Sequence, residues 1–305
     1  MQIYNSTNHI SPCPCVLALG CFDGVHLGHK EVIHTAKDIS LRMNIPLTVF
    51  TFEEPPRNFF APTPVPIITT HEEKACLLER EGVDSTVMLP LSDKIFSVSA
   101  QSFIDEIIID KLHAVHIVCG FNYTFGAGGL GNTALLIERC AERGVSVSVV
   151  PEYKIDGQAV SSSAIRQAVA DGDMRTAARL LGRPYALSSV VIDGQHLARQ
   201  LDFPTANIIP QEKALLPRNG VYATKMRFDG KLWNGITNIG MRPTVDTHIL
   251  CAETHVFDFD GDLYGKRVTV EFIEFIRGET KFTDLDALSR QVQKDISVAK
   301  NILIN

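Results

Sequence analysis

The sequence predicts an α/β fold in its first half and a small β-barrel with a C-terminal helix in its second half. Apolar runs of strand character alternate with helical periodicities up to about residue 184, which is typical of a Rossmann-like, doubly wound parallel sheet. Short β-rich segments follow from residue 185, and an amphipathic segment closes the chain. A length of 305 residues suits two domains, which we place at 1–184 and 185–305.

The first half contains five predicted strands joined by helical segments. The strands are expected at 16–19, 47–52, 83–89, 115–119 and 145–150. The helices are expected at 30–43, 71–81, 99–113, around 137–143, 163–170 and 174–181, where apolar residues recur at helical spacing. Pro55 and Pro56 end the second strand, because proline cannot continue a hydrogen-bonded ladder.

The second half becomes β-rich after Gly182-Arg183-Pro184, where Gly and Pro mark a break. Strands are expected at 187–193, 220–228, 232–238, 251–259 and 267–275, and a helix is expected at 285–303. Asp229-Gly230 joins two of the strands as a hairpin turn. Five or six short strands and one late helix predict a small barrel with the helix packed on it.

Composition excludes several function classes. Hydrophobic residues make up 45% and charged residues 21%, so a soluble globular protein is expected. The net charge of −6 argues against general nucleic-acid binding, and no apolar run is long enough to cross a membrane. The polar N-terminus lacks the order of a signal peptide, and the seven scattered cysteines predict thiols in a reducing cytoplasm. Oligomeric state is left open.

The segment Gly20–His29, Gly-Cys-Phe-Asp-Gly-Val-His-Leu-Gly-His, lies between the first predicted strand and the first predicted helix. In an open α/β sheet this is the usual ligand crevice, and a helix N-terminus there favours phosphate. His26 and His29 are three residues apart, so both rings can face one point, and Gly28 lets a phosphate approach the backbone. Two imidazoles in that place would stabilise charge on a phosphoryl group. Two surface histidines in a loop are the alternative.

Two further segments lie at strand ends in the first half. The loop 120–131 contains Asn122 and five glycines and is expected to be flexible enough to wrap a nucleotide, although a plain long loop explains it equally well. The serines at 161–163 open a helix that carries Arg166 one turn later. One serine is an ordinary N-cap, but several hydroxyls, helix N–H groups and a guanidinium together suit a triphosphate tail.

In the second half, chemistry is expected from Thr205, Asn207 and Glu253. A Thr hydroxyl and an Asn carbonyl two residues apart in extended chain point to one side, as oxygen ligands for Mg²⁺. A Glu on a neighbouring strand can accept the proton of an attacking hydroxyl. The alternatives are a turn at 204–207 and an exposed strand residue at 253.

The three motifs of the first half, Gly-x-Phe-Asp-Gly-Val-His-x-Gly-His, Gly-Phe-Asn-Tyr-x-Phe-Gly and Ser-Ser-x-x-x-Arg, resemble the adenylyltransferase half of prokaryotic bifunctional FAD synthetases. The resemblance implies that ATP and FMN give FAD and pyrophosphate with magnesium. It implies that His26 and His29 bind the ATP phosphates and stabilise the transition state, and that Ser162 and Arg166 hold the phosphates. The remaining binding residues would be Gly20, Phe22, Asp23, Gly24, Gly28, Asn122 and Ser161.

Five further motifs follow one another in the second half: Gly-Arg-Pro-Tyr, Phe-Pro-Thr-Ala-Asn, Gly-Val-Tyr-Ala, Asn-Ile-Gly-x-Arg-Pro-Thr and Phe-Asp-Gly-Asp-Leu-Tyr-Gly. In order and spacing they resemble riboflavin kinases. The resemblance implies phosphorylation of riboflavin to FMN by ATP. Thr205 and Asn207 would bind the Mg-nucleotide, Glu253 would be the base for the ribityl hydroxyl, and Arg277 would approach the flavin.

The chain departs from both family patterns. A Thr-Phe-Asp-Pro-His-Pro motif is common in the family, and 51–56 here is Thr-Phe-Glu-Glu-Pro-Pro, while Asn122 and Thr124 stand where Asp and Arg are usual. Ser189, Ala198 and Asp202 replace glycines of the kinase pattern. A left-handed backbone at Asp202 would cost roughly 1 kcal/mol, and its negative charge would lie beside ATP phosphates. We therefore expect a working kinase that is slower or needs more metal.

The sequence can be weighed against four alternative functions. A pantetheine-phosphate or nicotinate-nucleotide adenylyltransferase would lack the kinase-like half. A class I aminoacyl-tRNA synthetase would need a Lys-Met-Ser-Lys-Ser-like loop and a basic tRNA face, and neither is found in the sequence. The last two are an FMN adenylyltransferase with weak or lost kinase activity, and a non-catalytic flavin-binding regulator.

Overall fold

The computed structural model of the protein describes residues 1–7, 13–192, 204–243 and 248–304. The chain divides into two compact units, Met1–Ser162 and Ser163–Asn305. The strands β1 to β14 are Gln2–Tyr4, Cys15–Leu19, Leu47–Phe52, Ser85–Leu89, Ala114–Gly120, Ser146–Val150, Lys154–Ile155, Gln158–Ala159, Tyr185–Ile192, Ala206–Ile208, Gly220–Phe228, Lys231–Pro243, His248–Val256 and Arg267–Arg277. The helices α1 to α9 are Leu27–Met43, Arg57–Phe60, His71–Arg80, Asp93–Phe96, Ala100–Ser102, Thr133–Glu142, Ser162–Asp171, Met174–Leu181 and Leu285–Ile304.

The described part of the first unit is built on a six-stranded sheet in the order β1-β4-β3-β2-β5-β6. All five strand pairs are parallel. The chain moves outward from β2 through β3 to β4, then crosses to the other side of β2 to form β5 and β6. The order therefore reverses between β2 and β5, and the carboxyl ends of these two strands flank the crevice where such sheets bind ligands. This confirms the predicted doubly wound α/β sheet.

Both faces of this sheet are covered, as the apolar run of β2 requires. Leu17 and Leu19 face a core that includes Phe103 and Ile104. Val16 and Ala18 face the opposite core, where α1 packs with side chains such as Val32 and Ile33. The alternation along β2 fixes α1 on one face, so that the loop from β2 to α1 opens at the carboxyl edge of the sheet.

The predicted helix at 99–113 has a different geometry from the one expected. After Ala100–Ser102 the chain continues as a π-helix over Phe103–Lys111. Buried side chains recur at 103 and 104, at 107 and 108, and at 112. This spacing of four to five residues matches the wider turn of a π-helix better than the 3.6-residue turn of an α-helix.

The second unit contains the predicted barrel. Its strands close in the order β10-β13-β12-β11-β14-β9, with β9 paired to both β14 and β10 in an antiparallel manner. Helix α9 packs on the outside, where Ala299 and Leu303 lie in one cluster with Val221 and Ala223 of β11. The opposite face of β11 and β12 points into the barrel, where the hydroxyls of Thr224 and Thr237 are 2.8 Å apart.

Helices α7 and α8 belong to the second unit except for Ser162, although the sequence places the domain boundary at 184. Within this unit, Arg175 of α8 forms an ion pair of 2.6 Å with Glu274 of β14. The side-chain oxygen of Tyr222 on β11 also donates to the carbonyl of Arg218, next to the turn after α7. The division of the two activities at residue 184 stays a prediction.

The substituted glycine positions of the kinase pattern fall partly outside the described residues: Ala198 and Asp202 lie in the range 193–203. Ser189 is described and lies in regular strand β9, paired with Val268. Its hydroxyl donates to the carbonyl of Ile209 at 2.8 Å. A serine therefore fits this position without any left-handed backbone.

Candidate functional site

The loop after β2 is a compact, strained turn. Phe22, Gly24 and Val25 have φ values of 52°, 87° and 40°. A positive φ is uncommon for Phe and is a true outlier for β-branched Val, and such strain is concentrated at functional sites. The side chains of Phe22 and Val25 are buried, and the amide of Val25 donates to the carbonyl of Phe22 at 3.1 Å. This turn places His26 as the N-cap of α1.

The two histidines of the motif meet face to face. The ring centroids of His26 and His29 are 3.5 Å apart, and the ring planes differ by 13°. His26 Nδ1 accepts the backbone N–H of His29 at 3.2 Å, so a neutral His26 carries its proton on Nε2. Gly28 leaves room for this arrangement, because a Cβ there would lie 3.3 Å from the His26 ring. The expected convergence of the two rings is present.

His29 is held as a neutral imidazole. Its pKa lies well below the usual 6.5, first because the ring is buried, and then because a protonated His26 and the nearby Lys74 both oppose a further positive charge there. Its Nδ1 atom is buried without a hydrogen-bond partner among the described residues, and the ring of Phe22 packs edge-on at 5.2 Å. A buried polar atom without a partner costs free energy.

Asp23 fastens the loop to the segment before α3. The residue is 2% exposed, and its Oδ1 accepts the backbone N–H groups of Ile68 at 2.9 Å and Thr69 at 3.2 Å. The hydroxyl of Thr69 in turn accepts the N–H of Gly24 at 3.1 Å. Asp23 thus positions the loop through backbone contacts. Gly20 begins the loop, where a Cβ would come within 2.9 Å of the Phe22 ring.

Lys74 is a site residue that sequence reasoning missed. It is fully buried on α3, and its ammonium donates to the carbonyls of Cys21, Phe52 and Glu53. Helix α3 begins with a capping box between Thr70 and Glu73, which fixes the turn that carries Lys74. The signal available in the sequence was the spacing of four residues between Lys74 and Leu78, which places both on one face of α3.

The serine segment reaches the same loop. The hydroxyl of Ser162, the first residue of α7, donates to the backbone carbonyl of Asp23 at 3.0 Å. Ser161 precedes it and is half-buried, and Arg166 lies one helical turn later on α7, in the second unit. The Ser162 hydroxyl therefore lies against the turn after β2.

Part of the loop 120–131 is closely packed, while the predicted flexibility of the loop stays a prediction. Phe125 is buried in the core and pairs with Gly131 in an antiparallel bridge. A Cβ at Gly131 would lie 2.5 Å from the Phe125 ring, and one at Gly126 would lie 2.7 Å from the Ala100 backbone. These glycines permit close packing. Asn122 is exposed at the carboxyl end of β5.

A cluster of four phenylalanines also lies at the carboxyl edge of the sheet and was missed in the sequence. Its members are Phe52 at the end of β3, Phe59 and Phe60 on α2, and Phe96 on α4. The Phe96 ring stacks on Phe52 at 5.6 Å and lies 4.8 Å from Phe59 and 5.0 Å from Phe60. Phe60 is 62% exposed, so the cluster offers an aromatic surface to solvent.

In the barrel, strand register brings predicted kinase residues into one row. Asn207 of β10 lies directly opposite Glu253 of β13, and Glu253 lies opposite Asn238 of β12. Directly opposed residues place their side chains on the same face, with Cβ atoms about 5 Å apart. Thr205 lies two residues before Asn207, and its carbonyl accepts the Asn207 side-chain amide at 3.4 Å. Asn238 is the member of this row that the sequence analysis missed.

Arg277 stands at the far end of the same row. It lies opposite Val221, which lies opposite Asn238. Its guanidinium donates through Nε and Nη2 to one carboxylate oxygen of Asp295 on α9, at 2.8 and 2.7 Å. Asp295 is buried and also accepts from Gln291 at 2.7 Å. Helix α9 therefore fixes the orientation of Arg277.

Two family models match this chain in tandem. The model described as FAD synthetase matches residues 9–164, and the model described as riboflavin kinase matches residues 181–303. The first match covers the histidine loop and the serine segment through residue 164. The second match covers the barrel and most of α9.

Curated relatives match over almost the full length. The bifunctional riboflavin kinase/FMN adenylyltransferase of Pseudomonas fluorescens is 36% identical over 98% of this chain and 97% of its own. The Haemophilus influenzae protein of the same name is 36% identical over 94% and 93% of the two chains. The Bacillus subtilis protein of that name is 35% identical over 92% and 90%.

One similar solved structure carries a different description. The crystal structure of a macrolide-efflux protein from Streptococcus pneumoniae shares this fold with a TM-score of 0.90 at 31% identity, over 98% of both chains. In the ranges that the structure describes, no helix has the length and apolar character needed to cross a membrane. The two family models and the full-length curated relatives agree on both halves: this chain belongs to the family of bifunctional riboflavin kinases/FMN adenylyltransferases.

Proposed function

We propose that the histidine loop of the first half carries FMN adenylylation, and that the row Asn207, Glu253 and Asn238 of the barrel carries riboflavin phosphorylation. The bifunctional enzyme thus makes FMN from riboflavin and ATP, and then FAD and pyrophosphate from FMN and a second ATP. One observation supports the assignment of the two activities to two sites. The stacked His26 and His29 lie at the switch point of the parallel sheet, whereas Glu253 lies on the wall of a separate barrel.

Adenylylation needs position and charge but no covalent intermediate. An oxygen of the FMN phosphate attacks the α-phosphorus of ATP, a new P–O bond forms, and the bond between the α-phosphorus and the bridging oxygen breaks to release pyrophosphate. Neutral His26 can donate from Nε2, and the His29 ring is stacked on it. Both rings therefore suit hydrogen bonds to phosphoryl oxygens. Ser161 and Ser162 suit the β- and γ-phosphates, and the resemblance to FAD synthetases implies the same role for Arg166.

The phenylalanine cluster suits the flavin ring of FMN. Isoalloxazine is a large planar aromatic system, and offset or edge-on stacking on aromatic side chains stabilises such rings. Phe60 and Phe96 lie at the same edge of the sheet as the histidine loop, because β2, β3 and β4 are parallel. Asn122, after β5, lines the other side of the switch point and suits a polar group of nucleotide or flavin.

In the barrel, the order of residues along the row matches the order of groups in the kinase reaction. Asn207 suits the metal-nucleotide, and Glu253 on the next strand suits deprotonation of the ribityl hydroxyl that attacks the γ-phosphorus. Arg277 lies three further strands along, about 14 Å around the wall. That separation is on the scale of a ribityl chain with its flavin ring. Arg277 is therefore suited to contact the flavin ring while Glu253 contacts the ribityl hydroxyl.

Magnesium fits the oxygen donors at the start of β10. Asn207 is 4% exposed, and its side-chain oxygen has only the Cys251 thiol at 3.8 Å as a described donor. Thr205 adds a half-buried hydroxyl. Mg²⁺ is usually held by one or two protein oxygens together with phosphates and water, so this donor set suits it. When bound, the ion would neutralise phosphate charge.

The location and partners of the enzyme follow from its chemistry. We propose a cytoplasmic enzyme whose partners are the small molecules riboflavin, FMN and ATP, with neither nucleic acid nor membrane required. The net charge of −6 supports the absence of a nucleic-acid partner. The seven cysteines support a reducing compartment, because all of them, each within the described residues, are thiols rather than disulfides.

Replacing the base of the kinase row tests the division. In the full chain, Glu253→Gln keeps the shape of the side chain but removes its ability to accept a proton. We expect riboflavin phosphorylation to fall by roughly 10²–10⁴-fold, the usual contribution of a general base. FAD formation from supplied FMN should stay within twofold of the unaltered enzyme. Separation of riboflavin, FMN and FAD by HPLC measures both rates.

Glu271→Gln is the matched control. This glutamate also lies on a barrel strand, but it pairs with the exposed Arg227 at 2.9 Å. We expect both activities to persist in the control. Normal FMN formation by Glu253→Gln would show that Glu253 is not the general base. Equal loss of both activities would show that the two sites are not independent.

A further inference from the structure

Lys74 is a buried cation at the carboxyl ends of β2 and β3. The residue is completely buried, and its Nζ lies 3.1 Å from the carbonyl oxygen of Cys21, 2.6 Å from that of Phe52 and 3.4 Å from that of Glu53. A lysine ammonium has three donors, so these three carbonyls satisfy it fully. None of the three partner atoms is a charged group, so these contacts leave the positive charge uncompensated.

The position of this lysine is unusual for a helix. Helix α3 buries Lys74 together with Ala75 and Leu78 on its inner stripe, where apolar residues are the rule. Lysine is almost never fully buried unless it is paired. Three carbonyl acceptors require the protonated amine, because a neutral amine has only two N–H groups. The site therefore holds a positive charge as well as three hydrogen bonds.

The ammonium is close to the histidine pair. Cys21, whose carbonyl it holds, directly precedes Phe22, and the Phe22 ring packs against His29 at 5.2 Å. The positive charge of Lys74 acts on His29 and helps to lower its pKa, after burial and after His26. His26 stacks on His29 from the first turn of α1, and Lys74 acts from α3, so these two titratable groups act on His29.

The histidines provide donors but little positive charge. His29 is neutral near pH 7, and His26 accepts the N–H of His29 at Nδ1. A phosphate-binding loop nevertheless has to stabilise several negative charges, and a cation in a water-excluded place does so more strongly than one in water.

We propose that Lys74 is a positioning residue for FMN adenylylation, which fixes the turn after β2 through the Cys21 carbonyl and supplies that turn with a buried positive charge. This inference rests on the assignment of adenylylation to the histidine loop. Lys74 touches no reacting atom; it acts through the backbone of the loop and through the electrostatic potential at His29.

The test uses the full chain with Lys74→Met, which keeps the length of the side chain and removes the ammonium. With FMN and Mg-ATP we expect kcat/KM for ATP to fall at least tenfold, while riboflavin phosphorylation stays within twofold. NMR of ring-labelled histidine should show His29 titrating at a higher pH than in the unaltered protein, because one of the charges that oppose its protonation has gone. A purely structural role would not produce that shift.

The controls separate charge from fold. Lys37→Met removes a lysine of the same unit that pairs with Asp84 at 3.4 Å on the surface, and it should change neither activity nor the His29 titration. Lys74→Gln is the second neutral variant, since its amide can still donate to one or two of the carbonyls. It should reproduce the loss of adenylylation and the His29 shift.

Three results would overturn the inference. One is full adenylylation by Lys74→Met, and a second is reduced adenylylation with an unmoved His29 titration. The third is loss of the folded NMR spectrum of the first unit in both neutral variants, because Lys74 would then be structural only. Failure of the unaltered enzyme to convert FMN to FAD is a different outcome: it would remove the adenylylation assignment itself, and it is seen before any variant is made.

Discussion

His26 and His29 lie with their rings stacked at 3.5 Å, and the backbone N–H of His29 donates to the ring of His26. The pair is therefore a single preorganised unit, set at the start of α1 by the turn after β2. Because two parallel imidazoles at this distance cannot both be protonated without strong repulsion, at most one of the two rings carries a positive charge.

Removal of one ring should silence one activity only. We expect His29→Ala to lower FAD formation from FMN by about 10²–10³-fold, the effect of removing a preorganised donor to a charged transition state. FMN formation from riboflavin should remain near normal, because the barrel does not use this residue. Flavin analysis by HPLC measures both, and parallel loss of both activities would mean that the two sites depend on each other.

The lowered pKa of His29 makes the first unit sensitive to acid. The unfolded chain takes up a proton at His29 below a pH of about 6.5, whereas the folded protein does so only at lower pH. Stability contributed by the neutral ring is therefore present above pH 6.5 and is lost as the pH falls below it. The slope from this group is at most about 1.4 kcal/mol per pH unit.

Thermal unfolding at pH 7.5 and pH 5.5 measures this effect against a variant. We expect the unaltered protein to lose more stability between the two values than His29→Gln, which has no titrating ring at this position. Equal losses in the two proteins would show that His29 has an ordinary pKa in the folded state.

Asp23 should be needed for the shape of the loop. Asp23→Ala leaves the buried amides of Ile68 and Thr69 without their acceptor, at a cost of roughly 1–3 kcal/mol for an unsatisfied buried donor. We expect a lower melting temperature and reduced FAD formation, with FMN formation retained. Thermal unfolding measures the melting temperature, and an HPLC assay of flavins measures the two activities. An unchanged melting temperature would show that these contacts do not anchor the loop.

The sequence predicts the parts of the fold and site that depend on local pattern. The strands at 47–52 and 220–228 and the helix at 174–181 have the predicted bounds, because apolar periodicity and turn residues act within a few positions. The convergence of His26 and His29 follows likewise from one helical turn. Asn207 and Glu253 are 46 residues apart along the chain, so local pattern does not connect them. The resemblance to riboflavin kinases is what implies that they share one site.

Features made by distant contacts were beyond sequence reasoning. Lys74 looks like a surface lysine until the carbonyls of Cys21 and Phe52, 53 and 22 residues away, are brought to it. The Arg277–Asp295 pair depends on where α9 crosses the barrel. Strand β1 is only three residues long and forms by pairing with β4, so its own sequence carries little signal. The contact between Gly126 and the Ala100 backbone likewise joins positions 26 residues apart, so the sequence of the loop 120–131 does not reveal it.

The most direct test of two active sites on one chain is a time course with riboflavin, ATP and Mg²⁺ under a reductant, analysed for flavins by HPLC. We predict that FMN appears first and FAD follows from it. FAD that appears only when FMN is supplied would contradict an active kinase site in the barrel, and no conversion of either flavin would contradict both sites.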